Sequence, residues 1–152
     1  MSNFSKVDDF LVHNQKSHAR IAEFYRSLSL DASDERVKLL LEILVKHKLE
    51  LLSFVNDYID KCPTKVRETF IQFDYEQNIE HLFITEFERS QISSDDVEYI
   101  VHRFDQYFSE LYKGISEAEA YAKVQELFEN LRQHMDQHKK RLSIDINAMK
   151  DM

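Results

Sequence analysis

Turn-forming residues are almost missing from this chain, which has one glycine, Gly114, and one proline, Pro63, among 152 residues. Glycine and proline punctuate tight turns and strand ends, so their scarcity excludes a turn-rich β architecture and predicts long uninterrupted helices. Cys62 is the only cysteine, which excludes an internal disulfide and a cysteine-based metal knuckle. One glycine cannot build a phosphate-cradling loop either, and no Ser–His–Asp arrangement stands out. An excess of positive charge is lacking as well. The chain has 20 Lys and Arg against 28 Asp and Glu, a net charge of −8. That is the wrong sign for gripping a phosphate backbone by counterion release, so no nucleic-acid partner is expected. The longest apolar run, Leu39 to Val45, contains Glu42 and is far too short to span a bilayer, so no membrane partner is expected. Met1 to Val12 carries Lys6, Asp8 and Asp9, unlike a signal or transit peptide, and the expected location is cytoplasmic.

What is present is globular in character, 43% hydrophobic and 32% charged. A single domain of this length buries roughly 70% of its unfolded surface. Apolar residues recur at helical spacing in four stripes. The first is Val7, Phe10, Leu11, Ile21, Tyr25 and Leu28; the second is Val37, Leu40, Leu44, Leu51, Phe54, Val55 and Tyr58. The third is Val97, Val101, Phe104, Phe108, Leu111 and Ile115; the fourth is Tyr121, Val124, Phe128, Leu131, Met135 and Leu142. The spacing predicts helices over about 5–28, 34–62, 94–114 and 117–148, joined in the middle by a long crossover, 63–93. Asp31 or Ser33 is the expected cap of the second helix, and Pro63 its stop. Ser93 or Ser94 with the acids that follow, and Ser116 with Glu119, read as capping boxes, with Gly114 ending the third helix. Within the crossover Phe70, Ile71, Phe73 and Tyr75 look strand-like, and Phe70, Phe73, Tyr75, Phe83 and Phe87 are expected to anchor it. Any of these left exposed would mark a subunit interface.

Two helical hairpins separated by a long connection form an all-α, four-helix bundle of ferritin-like connectivity. The halves are alike: His18 to Leu28 (HARIAEFYRSL) lies over Val101 to Leu111 (VHRFDQYFSEL) with apolar faces in phase, consistent with an internal duplication. The phrases Ile21 to Leu28 (IAEFYRSL), Glu35 to Leu44 (ERVKLLLEIL) and Leu127 to Leu131 (LFENL), followed by His138, resemble the rubrerythrin and ferritin-like superfamily.

The resemblance implies a di-iron centre in which glutamates from the first and third helices join a Glu-x-x-His pair from the second and fourth. Here the first-helix position falls on His18, the third on Val101 and the fourth-helix glutamate on Met135, while His138 fits the histidine. On the second helix the register gives either Lys48 with Leu51 or His47 with Glu50. With its carboxylates replaced, the chain is not expected to carry the family's oxidase, peroxidase or iron-storage chemistry, and no residue is assigned a catalytic role.

Two readings of function remain. One is a non-catalytic bundle acting through protein–protein contact or self-association, as a homodimer. The other is a transition-metal centre, Zn or Fe, built from His18, His47, Glu50 and His138 and open to redox chemistry. Against the metal stands the ordinary account of core histidines satisfied by hydrogen bonds. His134 lies four residues before His138 on what reads as a solvated edge, and His13, His81 and His102 read as surface residues. Cys62 reads as a small buried hydrophobe.

Overall fold

The structure is a computed structural model that describes residues 4–72, 79–118 and 121–150. It is all-α apart from one short pair of strands. Four long helices, α1 (Val7–Asp31), α2 (Glu35–Lys61), α4 (Ser94–Ala118) and α5 (Ala122–Lys150), are joined in the middle by a segment containing a one-turn helix, α3 (Thr64–Arg67). Helix α1 packs along α2 and α4 along α5, while α2 also meets α5 and α4.

The expected stripes supply most of the shared interior. Phe10, Phe104, Phe108 and Phe128 are fully buried, and each contributes about 1.5–3 kcal/mol of apolar transfer energy. Their rings interlock across helices: Phe10 meets Phe128 edge-on at 4.7 Å, and Tyr25 meets Phe104 at 5.9 Å. Leu41, Ile100 and Tyr112 are also buried, and the Tyr112 hydroxyl donates to Asn14 Oδ1 at 2.7 Å.

Several expected boundaries are corrected. Helix α1 runs to Asp31 and the cap of α2 is Asp34, which accepts from the amides of Arg36 and Val37. Ser33 instead bonds the carbonyl of Ser90, and Asp31 pairs with Arg89 at 2.7 Å, so both residues tie the α1–α2 turn to the crossover. Gly114 does not end α4, which continues to Ala118 with no left-handed residue. Ser93 makes the expected box with Asp96 through two reciprocal bonds, at 2.9 and 3.2 Å; Glu119 lies outside the described residues. Tyr121 is exposed because it precedes α5, its carbonyl accepting from Val124 and Gln125.

The crossover is more structured than its lack of periodicity suggests. Strand β1 (Phe4–Lys6) pairs antiparallel with β2 (Phe70–Gln72), with Ser5 opposite Ile71, so residues 5 and 6 are strand rather than helix. Two 3-10 turns follow, Ile79–Phe83 and Arg89–Gln91. Among the described residues of the crossover, the aliphatic side chains Val66, Ile71, Ile79, Leu82 and Ile92 are buried. Phe83 and Phe87 pack partly buried against the core, Phe83 lying 5.1 Å from Phe24. Phe70, expected to anchor, is 63% exposed. Phe73 and Tyr75 lie outside the described residues. No described helix is long and apolar enough to cross a membrane.

Candidate metal centre

Helices α2 and α5 bring His47, Glu50 and His138 together, with one potential ligand atom from each lying within 4.8 Å of the others. The local cause is helical spacing. His47 and Glu50 are three residues apart and share one face of α2, while His138, Arg141 and Asp145 recur at three and seven along α5. The His47 and His138 rings meet edge-on at 5.6 Å, both buried.

Asp145 sets the orientation of His47. Its Oδ2 lies 2.7 Å from His47 Nε2, and because an ionised carboxylate only accepts, Nε2 is the protonated nitrogen and donates. In the neutral ring Nδ1 then carries the lone pair, and this atom is buried without a hydrogen-bonding partner. His138 Nδ1 is likewise buried without a hydrogen-bonding partner. Burial, with Arg141 and two neighbouring imidazoles as smaller causes, lowers the His138 pKa to about 4, so the ring is neutral at pH 7. Glu50 Oε2 accepts from Arg141 at 2.7 Å, which leaves Oε1 as its available donor. A donor sits about 2.0–2.2 Å from a zinc-sized ion. Two donors on one ion are therefore at most ~4.4 Å apart, close to the 4.8 Å within which this set lies.

His18 is inside the protein but belongs to a different interaction. Its Nδ1 lies 3.2 Å from the Lys48 ammonium, which donates to it, and its ring stacks on Phe108 at 4.5 Å. The lone pair is thus taken, and the remaining Nε2 is a buried, unpartnered N–H. Burial, then Lys48 and His138, hold its pKa well below the usual value. The structure therefore groups three of the four residues singled out from sequence and sets His18 apart on Lys48.

Lys48 itself is 6% exposed. Burial lowers its pKa to about 8 against the opposing pull of Asp105, whose own carboxyl is raised by burial. Both line a cavity of ≈ 30 Å³ together with His47, Met135, His138 and Lys139. His47 and Lys48, neighbours on α2, are both buried. Asp105, Asp145 and Lys139 were not singled out from sequence, because charged residues default to the surface. Asp145 did carry a signal, being two turns beyond His138 on the same face.

The other histidines divide. His134 is half-buried and stacked on Phe54 at 3.4 Å rather than solvated. His13 is half-buried with Nε2 3.4 Å from the Tyr107 hydroxyl, so it is not a surface residue. His81 and His102 are exposed. Cys62 is buried and burial pushes its thiol pKa up, away from thiolate reactivity. Comparisons with protein-family models, curated proteins and solved structures find no match to this chain.

Proposed function

We propose that this protein is a four-helix bundle of ferritin-like connectivity that binds one transition-metal ion between α2 and α5, through His47, Glu50 and His138. The pairing of α1 with α2 and of α4 with α5 across a long connection supports the connectivity. The observation that carries the metal is the grouping of two buried imidazoles, each with an unpartnered Nδ1, with the Glu50 carboxylate. Buried polar atoms are nearly always satisfied, and an ion bound by both rings would satisfy both atoms at once. Asp145 on the far nitrogen of His47 has the geometry of the carboxylate–histidine pairs that orient metal ligands. Two nitrogens and one oxygen suit Zn(II) or Fe(II). With Glu50 the one carboxylate in the cluster, a bridged pair of irons lacks the further acids it needs, and the proposed role is metal binding rather than di-iron oxidation.

Elemental analysis of untagged protein purified without chelator tests this reading. About one equivalent of metal is expected, lost in His47→Ala and His138→Ala. Substoichiometric metal in the parent, or full retention in both variants, overturns it.

A specific observation favours self-association as a second activity. Ile84 and Tyr99, 70% and 62% exposed, flank a groove of ≈ 640 Å³ whose walls include Phe87 and Ile100. Glu86, Asp96 and Arg103 line the same groove, and a concave surface that mixes exposed apolar side chains with both signs of charge suits a second copy of the chain. Light scattering is expected to give a dimer that Tyr99→Glu dissociates; a monomer at all concentrations removes this reading.

A further inference from the structure

Lys48 is a buried cation without a counter-charge in contact. Among the described residues it makes no ion pair, and its neighbours are neutral: His18 Nδ1 at 3.2 Å and the face of Phe108 at 4.8 Å. A buried ammonium is costly unless paired. Its side chain lines the ≈ 30 Å³ cavity, where Lys139 brings a second positive charge and Asp105 the one carboxylate among the lining residues. Asp145, bonded to His47 Nε2, is a second carboxylate nearby, but it is not among the residues that line the cavity. Among the lining residues, then, two cations face one acid around a space with room for about one to two water-sized groups.

We propose that this cavity binds a small monoanion, of halide or azide size, held by Lys48 with Lys139 as the outer cation. The size of the cavity excludes nucleotides, organic phosphates and carboxylate metabolites, so the ligand class is inorganic and compact. Position matters as much as size. The anion lies against Lys48 and the inward faces of α2, α4 and α5, and it supplies the charge that Asp105 alone does not. The site needs no metal, although an ion on His47 and His138 would deepen the positive potential in which the anion sits.

Bromide is the probe, used on chelator-treated protein so that the outcome is separate from that of the metal proposal. Crystals soaked in bromide should show an anomalous peak in the cavity within hydrogen-bonding distance of Lys48 Nζ. In solution bromide should raise the melting temperature saturably. The larger sulfate at equal ionic strength corrects for general salt effects. Lys48→Met, which keeps the length and apolar stem, should weaken the bromide effect about tenfold or more. Lys139→Met, at a half-exposed position, should weaken it less and provides the comparison if Lys48→Met does not fold. An empty cavity in the bromide-soaked crystals overturns the proposal. So does a bromide response unchanged in Lys48→Met or, where that variant does not fold, in Lys139→Met.

Discussion

At the scale of single residues, the interior of this protein is decided by which nitrogen of each imidazole is already engaged. His47 gives its N–H to Asp145 and keeps a buried lone pair, whereas His18 gives its lone pair to Lys48 and keeps a buried N–H. Two histidines of similar burial thus have opposite capacities toward a cation. Asp145 is exposed, so its removal costs little packing. Asp145→Ala is expected to lower Zn(II) affinity 10- to 100-fold, read by competition with a chromophoric chelator, at nearly unchanged melting temperature. Equal affinities in parent and variant would show that Asp145 is only a surface partner.

His18 makes a separate prediction about pH. Its folded pKa lies well below 6.5 through burial first and Lys48 second, so as pH falls below 6.5 the unfolded chain takes up the proton before the native state does. Stability is therefore fully present above pH 6.5 and lost progressively as pH falls toward the folded value. In metal-free protein, denaturant midpoints should drop from about pH 7 to about pH 5. His18→Gln, which still accepts from Lys48 and does not titrate, should drop less. Identical slopes would place the acid sensitivity elsewhere.

At the scale of elements, the four apolar stripes were legible because helical period and burial coincide, as in Phe104 and Phe108 on α4. The failures have physical causes. Strand β1 forms only because β2, more than sixty residues later, supplies its partner, and no local periodicity encodes such a pairing. Of the candidate site, His47 and His138 could be read from their core-facing positions and Glu50 from its spacing to His47; Lys48 entered only as the rival register, and Asp105 could not be recognised as core-lining from its chemistry. His18 faced inward as expected, but periodicity fixes a face and not a level along the axis.

Gly114 is the sharpest case: a glycine stops a helix by adopting a left-handed backbone, and here the backbone stays helical while Ile115 continues the buried stripe. It is therefore an ordinary helix-interior glycine, and an added Cβ would meet nothing within 4 Å. Gly114→Ala should stabilise the protein by about 0.5–1 kcal/mol, seen as a rise of a few degrees in a thermal melt. A fall would mean that this turn of α4 needs its flexibility.

At the scale of the whole molecule, α2 packs on α1, α4 and α5, so an ion shared by α2 and α5 would fasten the helix that meets all three other long helices. Metal binding to the native state alone stabilises it by RT ln(1 + [L]/Kd), about 2.7 kcal/mol at a hundredfold excess over Kd. For a domain of this size that corresponds to a rise of roughly 5–10 °C in melting temperature. The gain should be global rather than local. Hydrogen exchange should slow in α1 and α4 as well as in the two helices that carry ligands, provided the core unfolds as one unit. His138→Ala should abolish the rise while keeping the fold, because its removal leaves His47 and Glu50 as a two-donor site on one helix. A rise of equal size in His138→Ala would show that the ion binds elsewhere on this acidic surface, and the exchange pattern would then locate it.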